Sequence, residues 1–197
     1  VRSKSGIGDR MHASLERGII TERKFLVESI WDVEQWRRVQ VGASFKDRLV
    51  ARSLSRNVCT DEGLNALLDI MFHGSTQVAT WYVAIFESNT SCVVGMTYAT
   101  PVYTECTAYD EATRPEYVEA AASGKSLTNS ANKAVFTINA TKTIYGGALV
   151  GGGSTPTTKG DAAGGGKLFC ASQFSASKSC VDDDVLRVTV TLTAADV

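Results

Sequence analysis

One stretch of this chain fixes what the rest must provide. Between Asn57 and Gly74, the residues Leu64, Leu67, Leu68, Met71 and Phe72 recur at the spacing of a single helical face. Thr60 or Asp61 supplies an N-cap, and Gly74 supplies a C-terminal stop. The run from Trp81 to Phe86 follows, aromatic and β-branched, and nearly everything after it is short β-type runs broken by Gly, Ser, Thr and Asn. A helix with one apolar stripe needs a surface to cover, so helix 60–73 is expected to pack on a sheet.

The remaining pattern predicts a mainly β protein. Residues 25–31 and 36–41 read as strands, with 32–35 as the turn between them, and 43–56 fits a helical stripe and an edge strand equally well. Trp81, Val83 and Ile85 alternate with Tyr82, Ala84 and Phe86, so both faces of that strand are apolar and a central position is predicted. The polar stretch 88–109 reads as a surface loop with one short strand around 102–104, and 117–122 as a further strand. Residues 134–141, 144–150 and 186–193 alternate as half-buried antiparallel strands do. The glycine-rich run 151–166 offers little that packs and is expected to be a mobile surface loop. The fold expected is therefore an antiparallel β-sandwich, jelly-roll-like, with one packed α-helix. Residues 1–20 are expected to form an extended N-terminal arm on a single domain, 21–197.

Charge is unevenly spread along the chain. Residues 1–60 hold twelve Lys and Arg against seven Asp and Glu, whereas the rest holds eight against fourteen. A basic front on an acidic body favours docking on an acidic protein surface, with Arg2, Lys4, Arg10 and Arg17 of the arm as the candidate contacts. These basic residues are scattered and accompany no nucleic-acid-binding motif, so direct nucleic-acid binding is not expected. No window approaches the roughly 18 apolar residues of a membrane-spanning helix, and the charges between Val1 and Ile20 leave no apolar core for a secretory signal.

Residues able to do chemistry do not assemble into a motif. Cys59, Cys92, Cys106, Cys170 and Cys180 lack C-x-x-C spacing, and His12 and His73 are the only histidines. Reduced, buried thiols are expected, a late disulfide being the alternative. Gly166-Lys167 offers the glycine and lysine of a phosphate loop, but the motif's first glycine and its hydroxyl are missing, since Asp161 and Leu168 stand there. Asp182, Asp183 and Asp184 read as a solvated turn rather than a calcium loop. Glu105, Asp110, Glu111, Glu116 and Glu119 lie among tyrosines with no spacing that sets two at catalytic separation, and His73 suits a helix C-terminus. No catalytic, cofactor-binding or metal residue is assigned, and no enzyme activity is expected.

Several segments together resemble a known group. They are Asn57 to Gln77, Thr80 to Glu87, Thr107 to Tyr117, Asn139 to Gly146 and Asp184 to Leu192. In combination they resemble small structural proteins of tailed bacteriophages, over about residues 57–197. The resemblance implies a virion protein without cofactors, made in the host cytoplasm. Of the places in a virion, it fits a capsid decoration or cement protein on the outer head surface, a homotrimer bound to the major capsid protein. A tail or head-to-tail connector component and a receptor- or glycan-binding fibre domain are the alternatives.

Overall fold

The computed structural model describes residues 25–196. The expected arm, with Arg2, Lys4, Arg10 and Arg17, lies outside the described residues. Eight strands and one helix follow in the order β1 (Phe25–Val41), β2 (Ser44–Val58), α1 (Asp61–Phe72), β3 (Trp81–Phe86), β4 (Ser126–Thr128), β5 (Ala134–Thr137), β6 (Lys142–Gly151), β7 (Lys167–Cys180) and β8 (Val185–Asp196). They form two antiparallel sheets. One runs β2-β1-β8-β4, with β5 also on β8, and the other runs β3-β6-β7. Among the described residues the chain adopts the expected mainly β sandwich with a single helix.

The core lies between the sheets. Trp31, Val33, Leu186, Val188 and Val190 of the larger sheet meet Val83, Ile85, Ile144, Leu149 and Cys170 of the smaller one. Alternation explains the larger sheet, because odd-numbered β1 residues from Val27 to Gln35 are buried while Glu28, Ile30 and Asp32 are less so. Trp31 is wholly enclosed and its indole N–H donates to the Ser29 hydroxyl at 3.1 Å, so burying it leaves no polar group unpaired.

The first two predicted strands are one. Asp32 and Glu34 suggest a turn, but they are part of a continuous strand, where Asp32 pairs with Arg52 and Glu34 with Lys133. The irregularity sits in β2, where Gln35 faces Ala51 and Trp36 faces Leu49, leaving Val50 as the extra residue of a bulge. The ambiguous 43–56 is strand, joined to β1 by the two-residue turn Gly42-Ala43. Gly42 adopts φ +63°, which suits the first position of such a hairpin turn.

Helix α1 is capped as expected, with the Thr60 hydroxyl accepting the Gly63 N–H at 3.0 Å and His73 donating its N–H to the Asp69 carbonyl. Its stripe is only half used. Leu64 and Leu67 pack on the core, whereas Leu68, Met71 and Phe72 are 52%, 64% and 82% exposed. The contact is made at the first turn, where Gly63 lies so close to the Phe169 backbone that a Cβ would come within 2.3 Å of its carbonyl oxygen. From there the helix runs past the sandwich, and its last turns are left largely uncovered.

Other expectations need correction. β3 is an edge strand of its sheet, but residues 104–117 cover its free side: Val83 donates to the Pro115 carbonyl, Cys106 to Ile85 and Tyr117 to Trp81. Both of its faces read as apolar because Val83 and Ile85 pack into the core between the sheets while Ala84 packs with Met96 and Tyr98 and Phe86 stacks on Tyr103. The stretch 88–109 is not merely superficial, since Met96, Tyr98, Cys106 and Tyr109 are buried. Neither 102–104 nor 117–122 forms a strand, although Glu116 makes an isolated bridge to Tyr82 of β3. The Asp182–Asp184 turn is not wholly solvated, because Asp184 is buried.

Candidate functional site

The largest convergence of chemistry-bearing side chains is built on Arg114. Its guanidinium is buried, the side chain being 2% exposed. Nε and one terminal nitrogen bind Glu105 at 2.8 and 2.5 Å, and the other terminal nitrogen donates to the Tyr98 hydroxyl at 3.1 Å and the Pro156 carbonyl at 2.9 Å. A further N–H reaches the Asp161 carbonyl at 2.8 Å. Five donors thus meet five acceptors, the full capacity of a guanidinium. Burial opposes the charge of Arg114, but the Glu105 carboxylate outweighs it and raises the pKa.

Tyr98 extends the cluster by donating to the Asp161 carboxylate at 2.8 Å, where Thr155 also donates at 2.7 Å. Hydrogen bonds from Thr155 and Tyr98, with the Ala163 and Gly164 amides, hold the Asp161 carboxyl down at about 2. The glycine-rich run expected to be mobile is therefore fastened to the body through Pro156 and Asp161. Glu105, which lies in an acidic, tyrosine-rich part of the sequence, is bound to Arg114 and holds together three loop segments rather than facing a reacting group.

The other candidates are likewise committed. Glu111 accepts from the Thr137 backbone N–H and hydroxyl. Asp184, fully buried, accepts from two Arg37 nitrogens at 2.7 Å, from Gln35 at 2.8 Å and from the Val181 N–H at 3.0 Å. Burial pushes its pKa up, but those donors outweigh it and leave the carboxyl below its ordinary value. Cys59 and Cys170 face each other across an isolated bridge as free thiols, and burial drives the Cys170 thiol well up. His73 is exposed at the helix end. Asp110, Glu116, Glu119 and Asp182 are exposed and are not drawn into the Arg114 cluster. Among the described residues no three His, Cys, Asp or Glu side chains group as a metal site, and no helix is long and apolar enough to cross a membrane.

Two surfaces stand out instead. β8 pairs with β1 only as far as Trp36, so the rest of the β1–β2 hairpin continues as a two-stranded ribbon. Every residue from Val41 to Val50 is exposed, and among them Val41, Phe45, Leu49 and Val50 are large and apolar. Cross-strand pairing puts Phe45 beside Gln40, with Arg38 stacked 5.2 Å from its ring. The second surface is a groove of about 420 Å³ between α1 and the ends of β1 and β8, lined by Val27, Leu67, Leu68, Met71, Phe72 and Leu192.

The chain matches no known family model. No curated protein is significantly similar to it in sequence.

Neither surface has a clear signal in the sequence. The ribbon falls in the stretch with two readings, and the groove is made by the half of the helical stripe that is expected inside. The enclosure of Arg114 is legible, because no Lys or Arg occurs between Arg56 and Arg114 while seven Asp and Glu do. A lone cation in such a stretch needs an acidic partner if it is buried, and Glu105 is the one of the seven that binds it.

Proposed function

We propose that this chain is a structural subunit of a tailed-bacteriophage virion, a decoration or cement protein that sits as a trimer on the outside of the head and clamps neighbouring major capsid subunits. The observation that carries the reading is the ribbon beyond Trp36. A two-stranded ribbon is marginally stable alone, and one that holds Val41, Phe45 and Leu49 in water gains stability by being covered. Such a projection suits an assembly subunit, because many modest contacts, repeated by symmetry, hold a shell together. The resemblance of residues 57–197 to phage structural proteins supplies the setting, and the commitment of Arg114, Glu105, Glu111 and Asp184 to internal bonds favours scaffold over catalyst. The basic arm residues Arg2, Lys4, Arg10 and Arg17 are assigned to the capsid surface, with synthesis in the host cytoplasm.

The test compares particles with and without the protein. A ligand that binds only the mature shell stabilises it by mass action, so particles lacking it assemble but release DNA at lower temperature. Densitometry of purified particles should count hundreds of copies. Identical release curves with about 6 to 12 copies, the number of a ring at one vertex, would transfer the chain to the tail or connector.

A further inference from the structure

Building on the reading of the chain as an assembly subunit, we infer that the tip of the β1–β2 ribbon of one copy seats in the α1 groove of a second copy, so that the chain joins head to tail. The ribbon presents Val41 and Phe45, and the groove presents Leu68, Met71 and Phe72, so each surface offers apolar area that the other removes from water. Their charges are opposite. Residues 37–50 carry Arg37, Arg38, Lys46 and Arg48 against the single Asp47, while α1 carries Asp61, Glu62 and Asp69 and no basic residue. Arg38, Lys46 and Arg48 are exposed, as are Asp61 and Asp69 on the helix and Glu119 on the groove's flank. Lys125 is the only charged residue on the groove lining itself and is a like charge, so the acidic residues flank the groove rather than line it. Opposite fields on the two surfaces speed docking and fix its polarity.

A ribbon cannot fill the groove of its own copy. Val27 lines the groove and Val41 begins the ribbon's turn, and along one continuous strand they are separated by roughly 45 Å at about 3.3 Å per residue. A stiff strand cannot bring its own end back to its beginning. Two different patches therefore meet, and such a heterologous contact closes a ring where its rotation allows and otherwise runs on as a filament. A closed ring leaves no ribbon and no groove uncovered; the trimer of the decoration reading is one such ring, and in it the ribbon holds the copies together while the capsid contact falls to the arm residues assigned above.

Two surface variants of the full chain test this, Phe45→Glu on the ribbon and Met71→Glu in the groove. Both positions are exposed, so circular dichroism should find each variant folded. By light scattering after size exclusion the wild type should associate toward three times its 21.1 kDa. Each variant should associate at least about tenfold more weakly, since a charge at the centre of an apolar contact costs more than about 1.4 kcal/mol. The two variants mixed should give a one-to-one pair, because each retains the half the other lacks. Folded variants that fail to pair, or a wild type that stays monomeric across the micromolar range, would overturn the inference. So would a thiol introduced by Met71→Cys that resists a maleimide in the dilute monomer and reacts only after residues 1–24 are deleted, since the same chain would then fill the groove. These measurements use no capsid. A monomer that still decorates particles would overturn the self-contact alone, whereas an oligomer that ignores them would overturn the capsid reading alone.

Discussion

Replacing Arg114 by methionine should be among the most damaging single changes available to this protein. The substitution keeps a long apolar side chain but removes the five guanidinium N–H groups that bind Glu105, Tyr98, Pro156 and Asp161. Glu105, whose side chain is 9% exposed, then keeps only the Gly160 N–H at 3.1 Å for its charge. Breaking a buried pair in this way costs about 3–5 kcal/mol, because an uncompensated charge stays behind. At roughly 2–4 °C per kcal/mol for a domain of this size, the unfolding midpoint should fall by about 6–20 °C. Urea titration of the full chain measures the loss, and adding Glu105→Gln to Arg114→Met should restore part of it by removing the stranded charge. Hydrogen exchange should show residues 152–166 freed in the single variant. A loss below about 1 kcal/mol, or a double variant as unstable as the sum of the two singles, would refute the account of Arg114 as a clasp.

Other changes follow from the same geometry. Leu68→Ala should cost less than about 1 kcal/mol in urea unfolding because its side chain is half exposed. Gly63→Ala should cost about 1–3 kcal/mol despite the better helix propensity, because the added Cβ meets the Phe169 backbone. Tyr109→Phe should raise the melting midpoint or leave it unchanged, since the Tyr109 hydroxyl is buried with no hydrogen-bond partner among the described residues. Asp161, with its folded pKa lowered from 3.8 to about 2, contributes stability present above its unfolded value and lost as pH falls through about 2. The gap in melting midpoint between the wild type and Asp161→Asn should therefore narrow between about pH 4 and pH 2.

The sequence is most readable where local pattern and tertiary burial agree. β3, β5, β6 and β8 can be anticipated because their alternation follows the two faces of a sheet, and α1 because Thr60 caps it and His73 and Gly74 end it. β7 gives no such signal. Its Ser172, Ser175, Ser177 and Ser179 look like loop, yet Ser172 is fully buried and Ser175 donates to Ser55 and Leu54, partners more than a hundred residues away. Asp32 and Glu34 mislead for the opposite reason, since their pairing with Arg52 and Lys133 makes acidic residues comfortable in mid-strand. The helical stripe shows which residues share a face but not how far the sandwich extends beneath it. Of the two candidate surfaces, only the charge imbalance is visible along the chain, because exposure depends on where the sheet stops.

β8 has a consequence for how the molecule is made. It lies between β1 on one side and β4 and β5 on the other, pairing Phe25 with Asp196 and Trp36 with Val185. Until residues 185–196 have left the ribosome, β1 has only β2 beside it, and one whole edge of that hairpin lacks its partner. Pairing between such distant positions is entropically slow to form. At about 5–20 residues per second, the nascent hairpin waits roughly 7–28 s for its neighbour. During that interval Trp31, Val33 and the ribbon apolar residues are open to other nascent chains, so the yield of soluble protein should depend on chaperones and fall as expression is driven faster.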